Sequence, residues 1–297
     1  RQRQMCIRDS YRSIGFAGFV FVDNASTDDT LALLEAQDDV VVHVTDASYA
    51  AASSGVDWQQ VLLREFARDR WALVVDADEQ LVFPGDREKG IRALIDRAES
   101  RGDAAVMAPL VDVYPAGPLS QAVYRPGQPF LSVADRFDGP DTHYLRVVQR
   151  DCETPHVEVR GGLRLRVMGF ELDESPLLTK FPLARRSHGM AIENAHLLHP
   201  PACHDTGTFG ALLHFKYFHD FPERARWGVS IGEHWRDGYE YRKYVDALDD
   251  DPGPDLRYAG TRIYDGPESL GWLWEAIRTT RASGSRAFVP AGVPRRD

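Results

Sequence analysis

The stretch Trp71–Pro84, WALVVDADEQLVFP, constrains the fold more than any other. An apolar run, Trp71 to Val75, meets three acids, Asp76, Asp78 and Glu79, and apolar residues resume at Leu81, Val82 and Phe83. A continuous apolar run bounded by polar residues is the pattern of a central strand in a parallel sheet. Acids at the carboxyl end of such a strand sit where open α/β sheets bind their ligands. Asp76 and Asp78 are two apart, so in extended geometry both side chains point to the same side. Their mutual repulsion is relieved by a divalent cation, and Mg²⁺ or Mn²⁺ takes oxygen ligands and shares them with substrate phosphates. The plainer reading is an acidic loop after a strand.

The chain has 297 residues, enough for one large domain or two small ones with a sizeable core. With 43% hydrophobic and 27% charged residues it is expected to be globular. A net charge of −10 argues against nucleic acid or an anionic membrane as the main partner. A phosphate ligand stays compatible, because a metal ion can carry the positive charge locally. Cys6, Cys152 and Cys203 form neither a disulfide framework nor a zinc-ligand spacing, which points to a reducing compartment and a cytoplasmic location. No apolar run approaches the ~20 residues that span a bilayer, so no transmembrane segment is expected.

Residues 1–10, RQRQMCIRDS, lack periodicity and read as a non-native leader, so fold reasoning starts at Tyr11 and the natural chain is expected to begin further upstream. Strands are expected at Phe16–Val22, Val40–Thr45, Trp71–Val75 and Ala104–Val113, and helices at Asp28–Gln37, Val56–Arg70 and Arg87–Ser100. This alternation implies βαβ units and a mostly parallel sheet. Residues 115–143 read as long surface loops, and Val157–Val167 as a hairpin turning at Gly161-Gly162. Helices follow at Glu240–Leu248 and Glu268–Arg278, and the tail reads as frayed.

Two acid clusters thus end two expected parallel strands: Asp23 after Val22, and Asp76/Asp78 after Val75. FVDNASTDDT and VVDADEQL resemble the two signature stretches of glycosyltransferase family 2, and the likeness spans Tyr11 to about Tyr244. Arg160-Gly161-Gly162, Lys180-Phe181-Pro182-Leu183 and Leu212–Phe221 look like a bacterial branch of that family. The resemblance implies an α/β GT-A (Rossmann-like) fold: a mostly parallel sheet flanked by helices, a loop-rich C-terminal half and a helical C-terminal extension. It divides the chain into a catalytic domain over 11–235 (nucleotide-binding half 11–114, acceptor half 115–235) and an extension over 236–297. It implies an inverting transferase of the hexosyl type that uses a nucleotide-diphosphate sugar, a UDP-sugar foremost, with a divalent metal, Mn²⁺ or Mg²⁺. The acceptor would be a glycan or a lipid-linked glycan of polysaccharide biosynthesis.

By the same resemblance Asp23, with Asn24, contacts the nucleoside. Asp78 binds the metal, and Asp76 contacts the ribose or a metal-bound water. A histidine often completes such a metal site, with His214 and His196 as candidates, and Lys216 could reach the diphosphate. Asp112, Asp173, Glu174 and Glu193 are all open as general base, with Asp112 and Glu193 preferred. The family's first strand, which should precede Tyr11, is missing from the pattern. That puts donor binding in question and leaves a sheet edge open.

Each residue also has a plainer role. Asp23-Asn24 fits a turn and Ser26/Thr27 a helix cap. His214 fits a hydrogen-bonded core histidine as well as a ligand, and Tyr217, Phe218, Phe221 and Trp235 fit core aromatics. Arg185-Arg186 reads as a solvated pair. Two other functional classes stay in view. A non-catalytic module, degenerate or truncated, would bind nucleotide or glycan without turnover. An Asp-dependent phosphatase would want Gly and Thr after its second Asp, where this chain has Glu79-Gln80.

Overall fold

The computed structural model describes residues 2–125, 127–149, 154–187, 189–232, 235–249, 251 and 253–292, without the side chains of 2–6 and 235–237. Residues 293–297 of the expected frayed tail, and the side chain of Trp235, lie outside the described set.

In the N-terminal half the strands are β1 (Phe19–Asn24), β2 (Val40–Thr45), β3 (Trp71–Leu73), β4 (Glu79–Val82), β5 (Ala105–Val106) and β6 (Leu110–Tyr114). They alternate with helices α1 (Gln2–Ser13), α2 (Thr30–Glu35), α3 (Val56–Phe66) and α4 (Asp86–Arg101). The C-terminal half adds β7 (Arg136–Asp138), β8 (His143–Val148), β9 (His156–Gly161), β10 (Leu183–Arg185), β11 (Ala191–Ile192), β12 (Leu198–His199), β13 (Ala211–His214), β14 (Thr261–Ile263) and β15 (Val289–Pro290). Its helices are α5 (Gly162–Val167), α6 (Phe221–Ile231), α7 (Trp235–Leu248) and α8 (Gly271–Ser283). None is long and apolar enough to cross a membrane.

The protein is a mixed α/β structure with several small sheets. A five-stranded sheet has the order β14-β7-β6-β13-β4, and a three-stranded one the order β3-β10-β5. The mostly parallel sheet expected from sequence is not what forms. Among the described strands only β1 with β2 and β6 with β13 pair in parallel, with one isolated parallel bridge between Met107 and Phe209. The reason is a pair of strands from the C-terminal half. β10 pairs antiparallel with both β3 and β5, so these two run in the same direction but never meet. β13 likewise separates β4 from β6. β1 and β2 form a ribbon of their own, with Val20, Val41 and Val44 exposed.

The expected strand Ala104–Val113 is two strands. Pro109 has no N–H to give to a ladder, and the chain changes sheet there: Ala105–Val106 pairs with β10, and Leu110 onward with β13. The expected hairpin over Val157–Val167 is also absent. β9 ends at Gly161 and the chain enters α5 directly. Gly161 has φ +107°, and a Cβ there would overlap the carbonyl oxygen of Thr142, the residue just before neighbouring β8. The glycines therefore serve a strand-to-helix junction, and a side chain is excluded by the backbone next to it.

The main core packs Val82, Val106, Val111, Leu183, Leu212 and Phe215 under α8, whose Leu273 and Ile277 are buried. A second cluster joins α5, α6 and α7 through Leu163, Phe170, Tyr217, Phe221 and Tyr244. Helix α1 covers the outer edge of β4. The Tyr11 hydroxyl donates to the Glu79 carbonyl (2.9 Å) and accepts from the Leu81 N–H (3.0 Å), so a phenol satisfies groups a strand partner would otherwise take. Ile7 and Arg8, within the segment set aside on sequence grounds, are helical and buried here.

Gly161→Ala is expected to cost more than about 2 kcal/mol in urea unfolding, because left-handed strain adds to the backbone overlap. Gly169, at φ +65° with open space around its Cα, meets strain alone, so Gly169→Ala is expected to cost about 1 kcal/mol.

Candidate active site

The register of β13 builds the site. His214 lies opposite Glu79 on β4 and opposite Asp112 on β6. Directly opposed residues project to the same face, so the three side chains form one row across three strands. All three are buried. Arg164, from the first turns of α5, closes the row with a two-pronged pairing: Nε to Asp112 Oδ2 at 2.8 Å and Nη2 to Oδ1 at 3.1 Å. Asp112 Oδ1 is also 2.7 Å from His214 Nδ1. A contact that short to a carboxylate puts the proton on Nδ1, which leaves the Nε2 lone pair facing out. It points towards Asp78, whose Oδ2 is 3.6 Å away. Burial opposes the charge on Asp112, but Arg164 and the His214 hydrogen bond outweigh it and hold the carboxyl well below the usual range. Both Asp112 oxygens are thus committed, which gives Asp112 the place of an orienting group instead of the general base expected from sequence.

The acids after β3 do not extend as a strand. The Glu79 N–H donates to the Asp76 carbonyl (3.1 Å), and the Asp76 N–H to Glu79 Oε2 (3.1 Å). Ala77 and Asp78 therefore occupy the centre of a turn, and the expectation that Asp76 and Asp78 share one side of a strand fails for that reason. The turn is pinned to the end of β13 by the Phe215 N–H, which donates to the Asp78 carbonyl at 2.8 Å.

Beneath the turn lies Lys180, which the sequence reading placed in a motif without giving it a role. Lys180 Nζ is 2.6 and 2.9 Å from the two Glu79 oxygens and 3.4 Å from Asp76 Oδ2. Burial works against the ammonium, and the Asp76 and Glu79 carboxylates together outweigh it, so its pKa rises. Asp76 is held down, chiefly by Lys180, whereas burial pushes Glu79 up against the pull of the same lysine. The signal for Lys180 was a lone cation at the head of an apolar run, KFPL.

A second charged group adjoins the row. Glu240 of α7 lies 3.3 Å from Arg164 Nη1 and 3.4 Å from Lys216 Nζ, and accepts the Tyr244 hydroxyl proton. Burial opposes its ionisation, but Lys216 and Arg164 bring its pKa down to about 2. Lys216 also lies over the Tyr244 and Tyr241 rings, 4.6 and 5.0 Å from their centroids. Lys216 is therefore engaged with α7, which the sequence division assigns to the extension.

The remaining candidates are spread around this centre. Asp23 is buried at the end of β1, where its Oδ2 accepts the Ser26 N–H at 3.1 Å. Asn24 Nδ2 donates to the carbonyls of Thr45 (3.0 Å) and Ala47 (2.9 Å) and ties the ends of β1 and β2 together. Tyr49, in the loop that follows β2, has its hydroxyl pushed up to about 12 by burial and then by the Asp76 charge, so this loop lies within reach of the acid turn. His196 Nδ1 bonds the Thr179 carbonyl at 3.0 Å, and burial with nearby Lys180 brings its pKa down to about 4. Glu193 is exposed in the turn between β11 and β12, where its N–H donates to the Leu197 carbonyl. Asp173 pairs at the surface with Arg146, and Glu174 accepts the Tyr239 hydroxyl proton. Arg186, expected to be solvated, is buried, and burial lowers it to about 10.

Among the described residues no group of three His, Cys, Asp or Glu side chains is arranged to enclose a metal ion. Asp78 Oδ2 and His214 Nε2 nonetheless form a matched pair of donors. Adjacent ligands of an octahedral ion at about 2.1 Å from the metal stand about 3 Å apart, so their 3.6 Å gap needs to close by only about half an ångström.

Lys180→Met strands Glu79 in the interior and is expected to cost about 3 kcal/mol or more in denaturant unfolding. The double variant Glu79→Gln/Lys180→Met is expected to recover most of that loss. A pH dependence follows from His196 and from His204, which is buried against Phe181 and also brought down to about 4. Both are neutral in the folded state where the unfolded imidazole is charged, so unfolding takes up protons. Stability should therefore fall as pH drops from about 6.5 to about 4, by up to about 1.4 kcal/mol per pH unit for each histidine. Urea titrations of His204→Gln against the parent should show a shallower slope in that window.

Comparison of the chain with protein-family models, with curated proteins and with solved structures gave no match.

Proposed function

We propose that the protein is an inverting, metal-dependent glycosyltransferase of the GT-A type, working in the cytoplasm. It would move a sugar from a nucleotide-diphosphate sugar, a UDP-sugar foremost, to a glycan or lipid-linked acceptor. The single observation behind this reading is the Asp78–His214 donor pair, with His214 oriented by Asp112 and Asp112 by Arg164. A histidine that donates its other ring N–H to a buried carboxylate is the usual arrangement of a metal-ligating imidazole. Two protein ligands suffice where phosphate oxygens and water supply the rest, as at Mg²⁺ and Mn²⁺ sites on nucleotides.

Asp78 and His214 would hold the ion, which supplies positive charge to the departing nucleoside diphosphate. Lys180 favours the ionised form of Asp76 next to it and offsets part of the burial that opposes the charge on Glu79, and Asp76 remains the candidate contact to the ribose or to a metal-bound water. Asp23 and Asn24, at the end of β1, would meet the nucleoside. Of the two carboxylates preferred as general base, Glu193 is the exposed one and is assigned the acceptor proton. A second reading rests on its own observation. The ribbon that carries Asp23 has only two strands, which suits a module that binds nucleotide or glycan without turnover.

Release of nucleoside diphosphate from nucleotide-sugars separates the readings. The transferase reading expects release with Mn²⁺, none in EDTA, and a loss of at least about 100-fold in Asp78→Ala and His214→Ala. Asp112→Asn is expected to weaken Mn²⁺ about 10- to 100-fold, since it disturbs only the orientation of His214. Donor binding without release supports the binding module, and phosphate release from monoesters supports the phosphatase.

A further inference from the structure

The other end of the β4–β13 pair carries a cleft of about 740 Å³ between α4 and α8. Arg97 and Arg101 line it from α4, and Arg278 and Arg281 from α8. Phe209 and Trp274 form its apolar side, and no carboxylate lines it among the described residues. Pro84, just past β4, also borders it. The acid turn ends at Glu79, five residues before Pro84, so at about 3.3 Å per residue the two sites are about 17 Å apart along the chain. The cleft is therefore not part of the acid site.

The guanidinium groups are not used up by the fold. Arg97 has no side-chain partner among the described residues. Arg278 lies over the Phe209 ring at 5.2 Å and makes only a 3.5 Å contact with exposed Glu275. Arg101 reaches Asp103 through Nε at 3.3 Å, but that carboxylate also accepts from Thr208 Oγ1 at 2.7 Å and from the Gly207 N–H. The Arg101 guanidinium lies across Gly207, where any Cβ would overlap it. Arg281 holds the Thr206 and His204 carbonyls and stands 3.7 Å from exposed Asp205, yet its Nε is buried without a partner. Burial lowers Arg281 and outweighs the pull of Asp205 and Asp103. A chain of net charge −10 that gathers four arginines around one concave surface, with no carboxylate in its lining among the described residues and Asp103, Asp205 and Glu275 only at its border, has set up a local field for an anion. Guanidinium forks match phosphoryl oxygens two by two. The volume falls in the ordinary range of small-molecule sites, roughly 300–1,000 Å³, well beyond a single phosphate ion.

We propose that the Arg97/Arg101/Arg278/Arg281 cleft is a second, metal-independent site that binds a ligand through its phosphoryl groups. A soluble phosphorylated compound and an anionic lipid headgroup both present such a group, and the chemistry of recognition is the same.

The test is calorimetric titration of inorganic pyrophosphate into the full chain in EDTA, where the acid turn repels anions. It is paired with flotation on phosphatidylcholine vesicles with and without phosphatidylglycerol. Arg97 and Arg278 are exposed, so Arg97→Gln/Arg278→Gln should fold normally, with its circular dichroism and its Mn²⁺-dependent UDP binding unchanged. Pyrophosphate binding that weakens at least tenfold in this variant supports the site and a soluble ligand. Phosphatidylglycerol-dependent flotation lost in the variant supports the site and a lipid headgroup. A parent chain that binds neither probe, or a variant that binds as the parent does, overturns the proposal whatever the acid site does.

Discussion

The placement of β13 between β4 and β6 is the constraint on which the rest depends. It sets His214 between Glu79 and Asp112, and each of these buried acids then requires a cation. Glu79 takes Lys180 from the segment that leads into β10, and Asp112 takes Arg164 from α5. Three parts of the C-terminal half are thereby tied to two strands of the N-terminal half. Moving β13 by one residue would reverse every side chain on it and turn His214 away from both acids.

Such pairs are poor stabilisers. Desolvation of two charges consumes most of their attraction, and apolar residues of the same size would serve a core as well or better. Their concentration around one turn is therefore better understood through chemistry, because perturbed ionisable groups gather where protons, metals or phosphates are handled. Asp78 and His214 are the two members of this assembly whose donor atoms face each other without a bond between them, and the buried charges fix their positions.

Much of this was legible from sequence. The strand at Val40–Thr45 and the helices at 56–70 and 87–100 follow from patterning, and the structure contains the strand with its expected bounds and the helices with shifts at the ends. The parallel sheet was not legible, because β10 and β13 come from a region without helical or strand periodicity and insert between strands they are remote from in the chain. The Asp76–Glu79 turn matches the plainer reading of an acidic loop after a strand, whereas the extended reading that set Asp76 and Asp78 on one side does not hold. Gly161-Gly162 signals a turn in any short window, and only the approach of the Thr142 carbonyl shows why glycine is required there. Lys180 was legible as part of a motif but not as a partner of Asp76 and Glu79, because those acids are about a hundred residues away. His214 was legible as a candidate and not as a choice, since the register that gives it Asp112 on one side and Glu79, next to Asp78, on the other is a tertiary fact.

The central claim is that Asp78 and His214 hold a divalent ion that in turn holds a nucleoside diphosphate. It is tested most directly by calorimetric titration of UDP into the protein, with and without Mn²⁺, on the parent chain and on Asp78→Ala. Binding that requires Mn²⁺ and disappears in Asp78→Ala is the result expected here. Binding of UDP that is indifferent to Mn²⁺, or that survives in Asp78→Ala, would contradict the claim.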